Sequence, residues 1–278
     1  MLRNRVITAL LLALLSLWVV WLAPAPVFLV FFIIVGLLAS AEWARLCGYR
    51  GLGFVSGYAV VVAIGQALGW WYLVEGGHAG PLLACVALWW AFAVFWLMAF
   101  AGGRTRPLPG PLLALVGLLV LGGAWLGVVS LFLQAGQGAY WVTVLFILVW
   151  GSDIGGYFVG RALGRHKLAP KISPGKTWEG AGGGLVLGLG VAFAFHAALH
   201  ASGVAVPSDI GALPGLLGGA FVIALGIAGD LFESMIKRQH GVKDSGSVLP
   251  GHGGVLDRID ALLAAAPILA LVVLKGGL

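Results

Sequence analysis

Two pairs of acidic residues with the same spacing lie in the last quarter of the chain. Asp230 and Glu233 are three positions apart, and so are Asp257 and Asp260. Residues three apart on a helix project from the same face, so each pair would place two carboxylates side by side. Carboxylate oxygens are the ligands that a hard divalent cation such as Mg²⁺ prefers. The spacing therefore indicates a cation site, with a set of ordinary salt bridges as the alternative.

Basic residues and glycines accompany these carboxylates. Four basic side chains occur in the same segment: Lys237, Arg238, Lys243 and Arg258. Lysine and arginine commonly bind phosphate groups, and a helix N-terminus at Asp257 would also favour a bound anion. Gly251, Gly253 and Gly254 would let the backbone approach a ligand closely. Carboxylates together with basic side chains are typical of a site that binds a metal ion and phosphates.

A second polar segment precedes this one. Residues 151–180 and 229–260 together hold seven of the ten acidic residues: Asp153, Glu179, Asp230, Glu233, Asp244, Asp257 and Asp260. Gly175-Lys176-Thr177 resembles the end of a phosphate-binding P-loop, but that pattern needs glycine where Pro170 stands. The sequence also predicts no strand before it. We therefore expect chemistry in these two segments but no P-loop.

The rest of the chain consists mainly of long apolar stretches. Hydrophobic residues make up 61% of the sequence and the mean hydropathy is +1.05, which suits burial in a bilayer rather than in a soluble core. Nine stretches are predicted membrane helices: 6–23, 27–44, 52–74, 80–101, 111–134, 139–160, 181–203, 212–232 and 261–274. The predicted fold is all-α and polytopic. Helices 1–5 occupy residues 1–138, and residues 139–278 form a catalytic region with two cytoplasmic loops.

The basic residues predict the orientation in the membrane. The N-terminus and four alternate loops hold two, two, two, five and four basic residues, 15 of the 16 in the chain. Basic residues accumulate on the cytoplasmic side, so we expect a cytoplasmic N-terminus, an outside C-terminus and a site that faces the cytoplasm from the inner membrane. The net charge of +6 has the same explanation. With no basic patch interleaved with aromatics, no nucleic-acid partner is predicted.

Glycines recur at four-residue intervals on both sides of the first polar segment. The two series are Gly156, Gly160 and Gly164, and Gly180, Gly184 and Gly188. Small residues at this interval let membrane helices approach closely. Both series are therefore predicted to be packing seams rather than phosphate-binding loops.

The second polar segment resembles the signature of phosphatidate cytidylyltransferases, also called CDP-diacylglycerol synthases. The matching residues are Ser234-x-x-Lys237-Arg238, Lys243-Asp244 and Pro250-x-His252-Gly253-Gly254-x-x-Asp257-Arg258-x-Asp260. Ser173-Pro174 and Lys176-Thr177-Trp178-Glu179-Gly180 are similar to an earlier loop of that family, with Gly175 as a departure. Over the first five helices the resemblance is topological only.

The resemblance implies an enzyme that takes CTP and phosphatidic acid, releases pyrophosphate and leaves CDP-diacylglycerol in the membrane. The lipid phosphate would be the nucleophile, and since its second pKa is about 6 it needs no general base at neutral pH. Catalysis would consist of aligning two anions and neutralising charge on the α-phosphate and the leaving pyrophosphate. Mg²⁺ is the implied cofactor, with a second, monovalent cation left open. A homodimer is compatible with the sequence.

The resemblance also implies roles for single residues. Asp230 and Asp257 are the predicted metal ligands, and Lys237, Arg238, Lys243 and Arg258 are predicted to bind phosphates. His252 is predicted to hydrogen-bond a phosphate rather than transfer a proton. Predicted contacts to the nucleotide, a cation or the lipid come from Ser173, Lys176, Thr177, Ser234, Gly253 and Gly254.

Three acidic residues keep alternative roles. Asp260 could ligate the metal or pair with Arg258, and Asp244 could orient Lys243 or contact the nucleotide. Asp153 could line a polar cavity or pair with Arg161 or Arg258.

Two other functions compete with the predicted one. A CTP-dependent lipid-alcohol kinase would need similar metal and phosphate ligands, but transfer to an alcohol should require a base. A secondary transporter would place ionisable residues near the bilayer midplane in two matched halves. In this sequence most of the charged residues cluster at one membrane face of the C-terminal half, which argues against transport.

Overall fold

A computed structural model describes residues 2–49, 51–103, 107–204, 206–207, 211–249 and 253–275 of the chain. His252, a predicted site residue, lies outside these ranges. The described residues form nine α-helices: α1 (Leu2–Trp21), α2 (Ala25–Leu46), α3 (Leu52–Val74), α4 (Ala79–Ala101), α5 (Gly110–Phe132), α6 (Gly138–Leu163), α7 (Trp178–Ala201), α8 (Ala212–Gln239) and α9 (Leu256–Leu274). Two short strands, β1 (Lys167–Ala169) and β2 (Ser173–Thr177), connect α6 to α7. The protein is an all-α polytopic membrane protein, as predicted.

Every predicted membrane segment coincides with a helix, but not all nine helices have the length and composition of a full membrane span. The seven helices α2 to α8 are long and apolar enough to cross a membrane. In α1 the apolar part that qualifies is shorter, Ile7–Trp21. Helix α9 carries three charged residues in its first turns, Asp257, Arg258 and Asp260, which is more charge than a membrane span usually holds. The prediction of nine spans is thus supported by length and composition for seven.

Two helices extend further into the polar segments than predicted. Helix α8 continues to Gln239 instead of ending near 232, and α9 begins at Leu256 instead of 261. The extension of α8 is favoured by the ion pair between Glu233 and Lys237, one turn apart on the same face. The acidic residues of both predicted pairs therefore lie within helices.

The β-hairpin corrects the expectation that no strand lies near Gly175-Lys176-Thr177. These three residues belong to β2, which pairs antiparallel with β1 through Lys167 opposite Thr177 and Ala169 opposite Ser173. Ile172, in the turn, is 1% exposed and anchors the hairpin in the bundle. Strands of three and five residues are too short to show a clear alternation of polar and apolar residues, so hydropathy did not reveal them.

The glycine seams are confirmed as contacts between α6 and α7. A Cβ on Gly180 would lie 2.9 Å from the carbonyl oxygen of Gly156, and one on Gly184 would lie 2.5 Å from that of Ser152. Only glycine allows backbones to approach this closely. The seam places the end of α6 directly beside the start of α7. The hairpin is the chain segment that connects these two helix ends.

Helices of both predicted regions build the core together. Phe232 of α8 is fully buried among Trp43 of α2 and Trp89, Trp90 and Trp96 of α4. Helix α9 packs against α5 and α8. Helices α8 and α9 are therefore held by the N-terminal helices as well as by each other.

Candidate active site

A cavity of about 460 Å³ lies between α6, the hairpin, α7 and α8. Eight of the residues that line it have polar side chains: Ser152, Asp153, Tyr157, Arg161, Ser173, Lys176, Thr177 and Asp230. This volume is typical of a small-molecule site. The sequence analysis predicted four of these eight as ligands of substrate or metal: Ser173, Lys176, Thr177 and Asp230.

An ion pair connects the hairpin to α8 across this cavity. Lys176 Nζ lies 2.7 Å from Asp230 Oδ2, and each side chain is about one-quarter exposed (24% and 25%). Ser234, one turn further along α8, donates to Asp230 Oδ1 at 3.3 Å. The tertiary structure thus brings two predicted ligands, 54 positions apart (176 and 230), into direct contact.

The other residues from the first polar segment shape the cavity wall. Thr177 ends β2 and caps α7, because its Oγ1 accepts a hydrogen bond from the backbone N–H of Gly180 at 3.1 Å. The side chain of Thr177 is buried, and that of Ser173 is half-buried. Glu179 accepts hydrogen bonds from the backbone N–H groups of Arg165 and His166, which ties the start of α7 to the end of α6. These hydrogen bonds attach the hairpin to the ends of α6 and α7, and Lys176 lies on the strand that they hold.

Lys237 lies between two carboxylates. Its Nζ is 2.5 Å from Glu233 Oε2 and 2.7 Å from Asp257 Oδ1, so one ammonium group links α8 to α9. The Glu233 side chain is completely buried and that of Asp257 is 6% exposed. A buried carboxylate is costly unless a cation or hydrogen-bond donors compensate it. Two of the three N–H groups of Lys237 are used in this way, and its predicted role as a phosphate ligand stays a prediction.

Asp257 is surrounded by donors from its own chain segment. Besides Lys237, its carboxylate accepts from the backbone N–H of Gly254 at 2.8 Å and from that of Ser245 at 3.1 Å. Gly253 has a φ of +79°, and a Cβ there would lie 2.6 Å from Asp257 Oδ2. A glycine at 253 is thus required by the backbone and by this close approach, independently of any contact to substrate.

Glu42 of α2 is a site residue that the sequence analysis missed. Its side chain is 1% exposed and accepts hydrogen bonds from Ser245 Oγ and from the backbone N–H groups of Val255 and Leu256. A signal was present in the sequence, because Glu42 is the only acidic residue of the apolar helix α2. The first five helices therefore contribute more than hydrophobic packing.

Three further predicted residues lie at the protein surface. Lys243, Asp244 and Arg258 are exposed. Arg258 is close enough to Asp153 to interact with it electrostatically, which agrees with the predicted pairing of these two residues. Asp153 also lines the cavity, which agrees with its other predicted role.

Arg238 and Asp260 make contacts that are mainly to the backbone. Arg238 Nε donates to the carbonyl oxygen of Ile172 at 3.4 Å and so touches the turn of the hairpin. Asp260 accepts from the backbone N–H of Ala261 at 2.9 Å. Asp153, Asp230 and Glu233 all contribute negative charge near Asp260.

The two predicted metal ligands, Asp230 and Asp257, have different neighbours. In the part of the chain that the structure describes, no three His, Cys, Asp or Glu residues are arranged to hold a metal ion. Asp230 lines the cavity together with Asp153, whereas the oxygens of Asp257 are occupied by Lys237 and backbone donors. The donor set available to a cation in the cavity is thus Asp230 with Asp153.

The described helices form a membrane bundle, and a cavity lined by charged residues lies beside α6 and α8. This arrangement is typical of a polytopic membrane protein that binds a polar or charged ligand. The chain matches the family described as "Cytidylyltransferase family" over residues 3–275, and it belongs to that family of nucleotidyltransferases.

Several relatives resemble the chain along nearly its full length. A phosphatidate cytidylyltransferase of Pseudomonas aeruginosa is 41% identical over 284 aligned positions that cover 100% of this chain and 98% of the relative. Proteins of the same name from Haemophilus influenzae and Brucella suis are 35% and 38% identical. The alignment with the Haemophilus influenzae protein covers 96% of each chain. The alignment with the Brucella suis protein covers 97% of this chain and 92% of the relative.

The position of Lys237 predicts that its removal destabilises the protein. Lys237→Ala would leave Glu233 and Asp257 buried without their shared cation, and breaking a buried ion pair in this way costs roughly 3–5 kcal/mol. The measurement is thermal unfolding of the purified protein in detergent. Lys243→Ala is the matched control, because Lys243 is exposed and its loss should change the free energy of unfolding by no more than about 0.5 kcal/mol. Equal melting temperatures for the two variants would contradict this assignment.

Proposed function

We propose that this enzyme transfers the cytidylyl group of CTP to phosphatidic acid, with release of pyrophosphate and formation of CDP-diacylglycerol in the membrane. The observation that carries the proposal is the ion pair of Lys176 and Asp230 in the wall of the 460 Å³ cavity. It sets a phosphate-binding cation beside a potential metal ligand, in a space bordered by membrane helices. The name that the full-length relatives share supports the same pair of substrates.

The side chains around the cavity can neutralise the negative charges that this reaction brings together. The lipid phosphate attacks the α-phosphorus of CTP, and pyrophosphate leaves. Because the attacking phosphate is largely dianionic at neutral pH, the site does not need a general base. It needs cations that hold two anions close together, and Lys176 and Arg161 line the cavity for that purpose. Arg238, Lys243 and Arg258 are proposed to bind further phosphate oxygens at the rim.

Mg²⁺ fits the donors in the cavity in part. Asp230 and Asp153 would hold it, since both are carboxylates that line the same space. Asp257 would join them only by exchanging Lys237 or a backbone N–H for the metal. When bound, the ion supplies charge neutralisation for the transferred phosphate and the pyrophosphate. The second, monovalent cation and the homodimer stay predictions.

The reaction itself can be tested with CTP labelled in two positions. Purified protein is incubated with Mg²⁺, a mixture of phosphatidic acid and diacylglycerol, and CTP that carries label either in the cytosine ring or on the γ-phosphate. Label from the ring should enter the lipid phase, and label from the γ-phosphate should stay in the aqueous phase as pyrophosphate. The opposite distribution would identify a CTP-dependent lipid kinase and would refute the proposed transfer.

The metal assignment predicts a loss of rate in Asp230→Asn. The amide keeps the size of the side chain but removes the charge that would bind both Lys176 and Mg²⁺. We expect kcat to fall by about 10²-fold or more and the Mg²⁺ concentration needed for half-maximal rate to rise. Glu75→Gln is the control, because Glu75 is exposed at the far end of α3. A wild-type rate and Mg²⁺ dependence in Asp230→Asn would exclude Asp230 as a ligand.

We further propose that the cavity faces the cytoplasm of a cell whose inner membrane holds the protein, as the distribution of basic residues indicates. After replacement of the free Cys47 and Cys85 by alanine, single cysteines are introduced at Ala135 or at Gly51, both exposed between helices. An impermeant thiol reagent added to intact cells should label the cysteine at 135 and spare the one at 51. The reverse labelling pattern would place the cavity outside, away from CTP.

A further inference from the structure

Glu42 is a buried carboxylate whose partners all belong to one distant segment. Its oxygens accept from Ser245 Oγ at 2.8 Å, from the backbone N–H of Val255 at 3.0 Å and from that of Leu256 at 2.8 Å. These partners follow Glu42 by more than 200 positions in the chain. A carboxylate with almost no contact to water needs such donors, so its place in α2 depends on this segment.

The donors are groups that a helix normally leaves unsatisfied. The first backbone N–H groups of a helix have no intrahelical acceptor, and a side chain just before the helix usually caps them. Helix α9 is preceded by Val255, whose side chain cannot accept a hydrogen bond. Glu42 performs this capping from another helix, and its negative charge also lies favourably at the N-terminal end of α9.

Glu42 and Asp257 hold the same segment from two sides. The backbone N–H of Ser245 donates to Asp257, while the hydroxyl of Ser245 donates to Glu42. Gly254 donates to Asp257, and the next two N–H groups donate to Glu42. Ser245 and residues 254–256 are therefore held together by two carboxylates.

Two glycines in this segment are explained by their contact with Glu42. A Cβ on Gly246 would lie 2.5 Å from Glu42 Oε1, and a Cβ on Gly254 would overlap the same carboxylate group. The closeness of the backbone to Glu42 means that the segment has little freedom to shift while these hydrogen bonds persist.

We infer that Glu42 is a positioning residue for nucleotidyl transfer: by capping α9 and tying Ser245 to the start of that helix, it holds Asp257 and Arg258 in register with the cavity. This inference rests on the proposed function. Arg258 interacts electrostatically with Asp153 in the cavity wall, and Asp257 pairs with Lys237. Both functional side chains follow directly on the two N–H groups that Glu42 binds. A displacement of about 1 Å in such groups can lower a rate by about 10²-fold.

The test compares Glu42→Gln with wild type in two measurements. The amide has the same size, but its NH₂ group would face hydrogen-bond donors, so the capping of α9 is weakened. Hydrogen exchange of the amides in residues 243–249 and 253–256 should become about tenfold faster or more, since one hydrogen bond is worth about that factor. The kcat of the folded fraction should fall by about 10- to 100-fold, with KM for CTP changed by less than about threefold.

Two further variants complete the experiment. Gln66→Leu is the control, because Gln66 is also a buried polar residue of the N-terminal helices, 3% exposed, but packs against Gly36 of α2. It should leave both measurements unchanged. Ser245→Ala removes one of the three donors and keeps Glu42, so we expect faster exchange and a smaller loss of kcat, about threefold. If Glu42→Gln does not yield folded protein, Ser245→Ala decides on the same two measurements.

Each outcome bears on the inference. Faster exchange with an unchanged kcat per folded enzyme would mean that Glu42 serves stability alone and would overturn it. Unchanged exchange would mean that Glu42 does not hold the segment, and would overturn it as well. The activity of the wild type separates this question from the proposed function: if the wild type forms no CDP-diacylglycerol, the proposed reaction fails, whereas a loss confined to the Glu42 and Ser245 variants supports the positioning role.

Discussion

The cost of placing carboxylates among membrane helices governs the arrangement of this protein. Glu233 is completely buried at the end of α8, and it is tolerated because Lys237 lies one turn away and also reaches Asp257 of α9. Glu42 is compensated in a different way, by hydroxyl and backbone donors rather than by a cation. Each acidic group thus binds one structural element to another, because leaving it unpaired in an apolar environment would cost several kcal/mol.

These polar contacts and the glycine seam together build a cavity suited to two unlike substrates. The seam between α6 and α7 brings the hairpin over the end of α8, and the hairpin delivers Lys176 to Asp230. A water-soluble nucleotide and a membrane lipid can meet only where polar groups reach a space bordered by membrane helices. The function proposed for this family member follows from that placement more than from any single residue.

Hydropathy was sufficient to predict the helices, since long apolar stretches in a chain of this composition have few alternatives. It was insufficient where polar residues continue a helix, as at Glu233 and Lys237, and where strands are as short as three residues, as in β1. In both cases the stabilising contacts come from charge pairing or from neighbouring elements, which periodicity does not record.

Residue types and local spacing by themselves determined the membrane class, the two polar segments and the chemistry of carboxylates with basic groups. Tertiary structure alone decided which distant groups meet: Lys237 reaches Asp257, Lys176 faces Asp230, and Glu42 caps a helix more than 200 positions away. The physical reason is that spacing along a chain fixes which side chains share a helix face. Which groups that face contacts depends on how the helices pack against one another. In this protein the packing depends on glycines at the helix contacts and on buried charges that must be compensated.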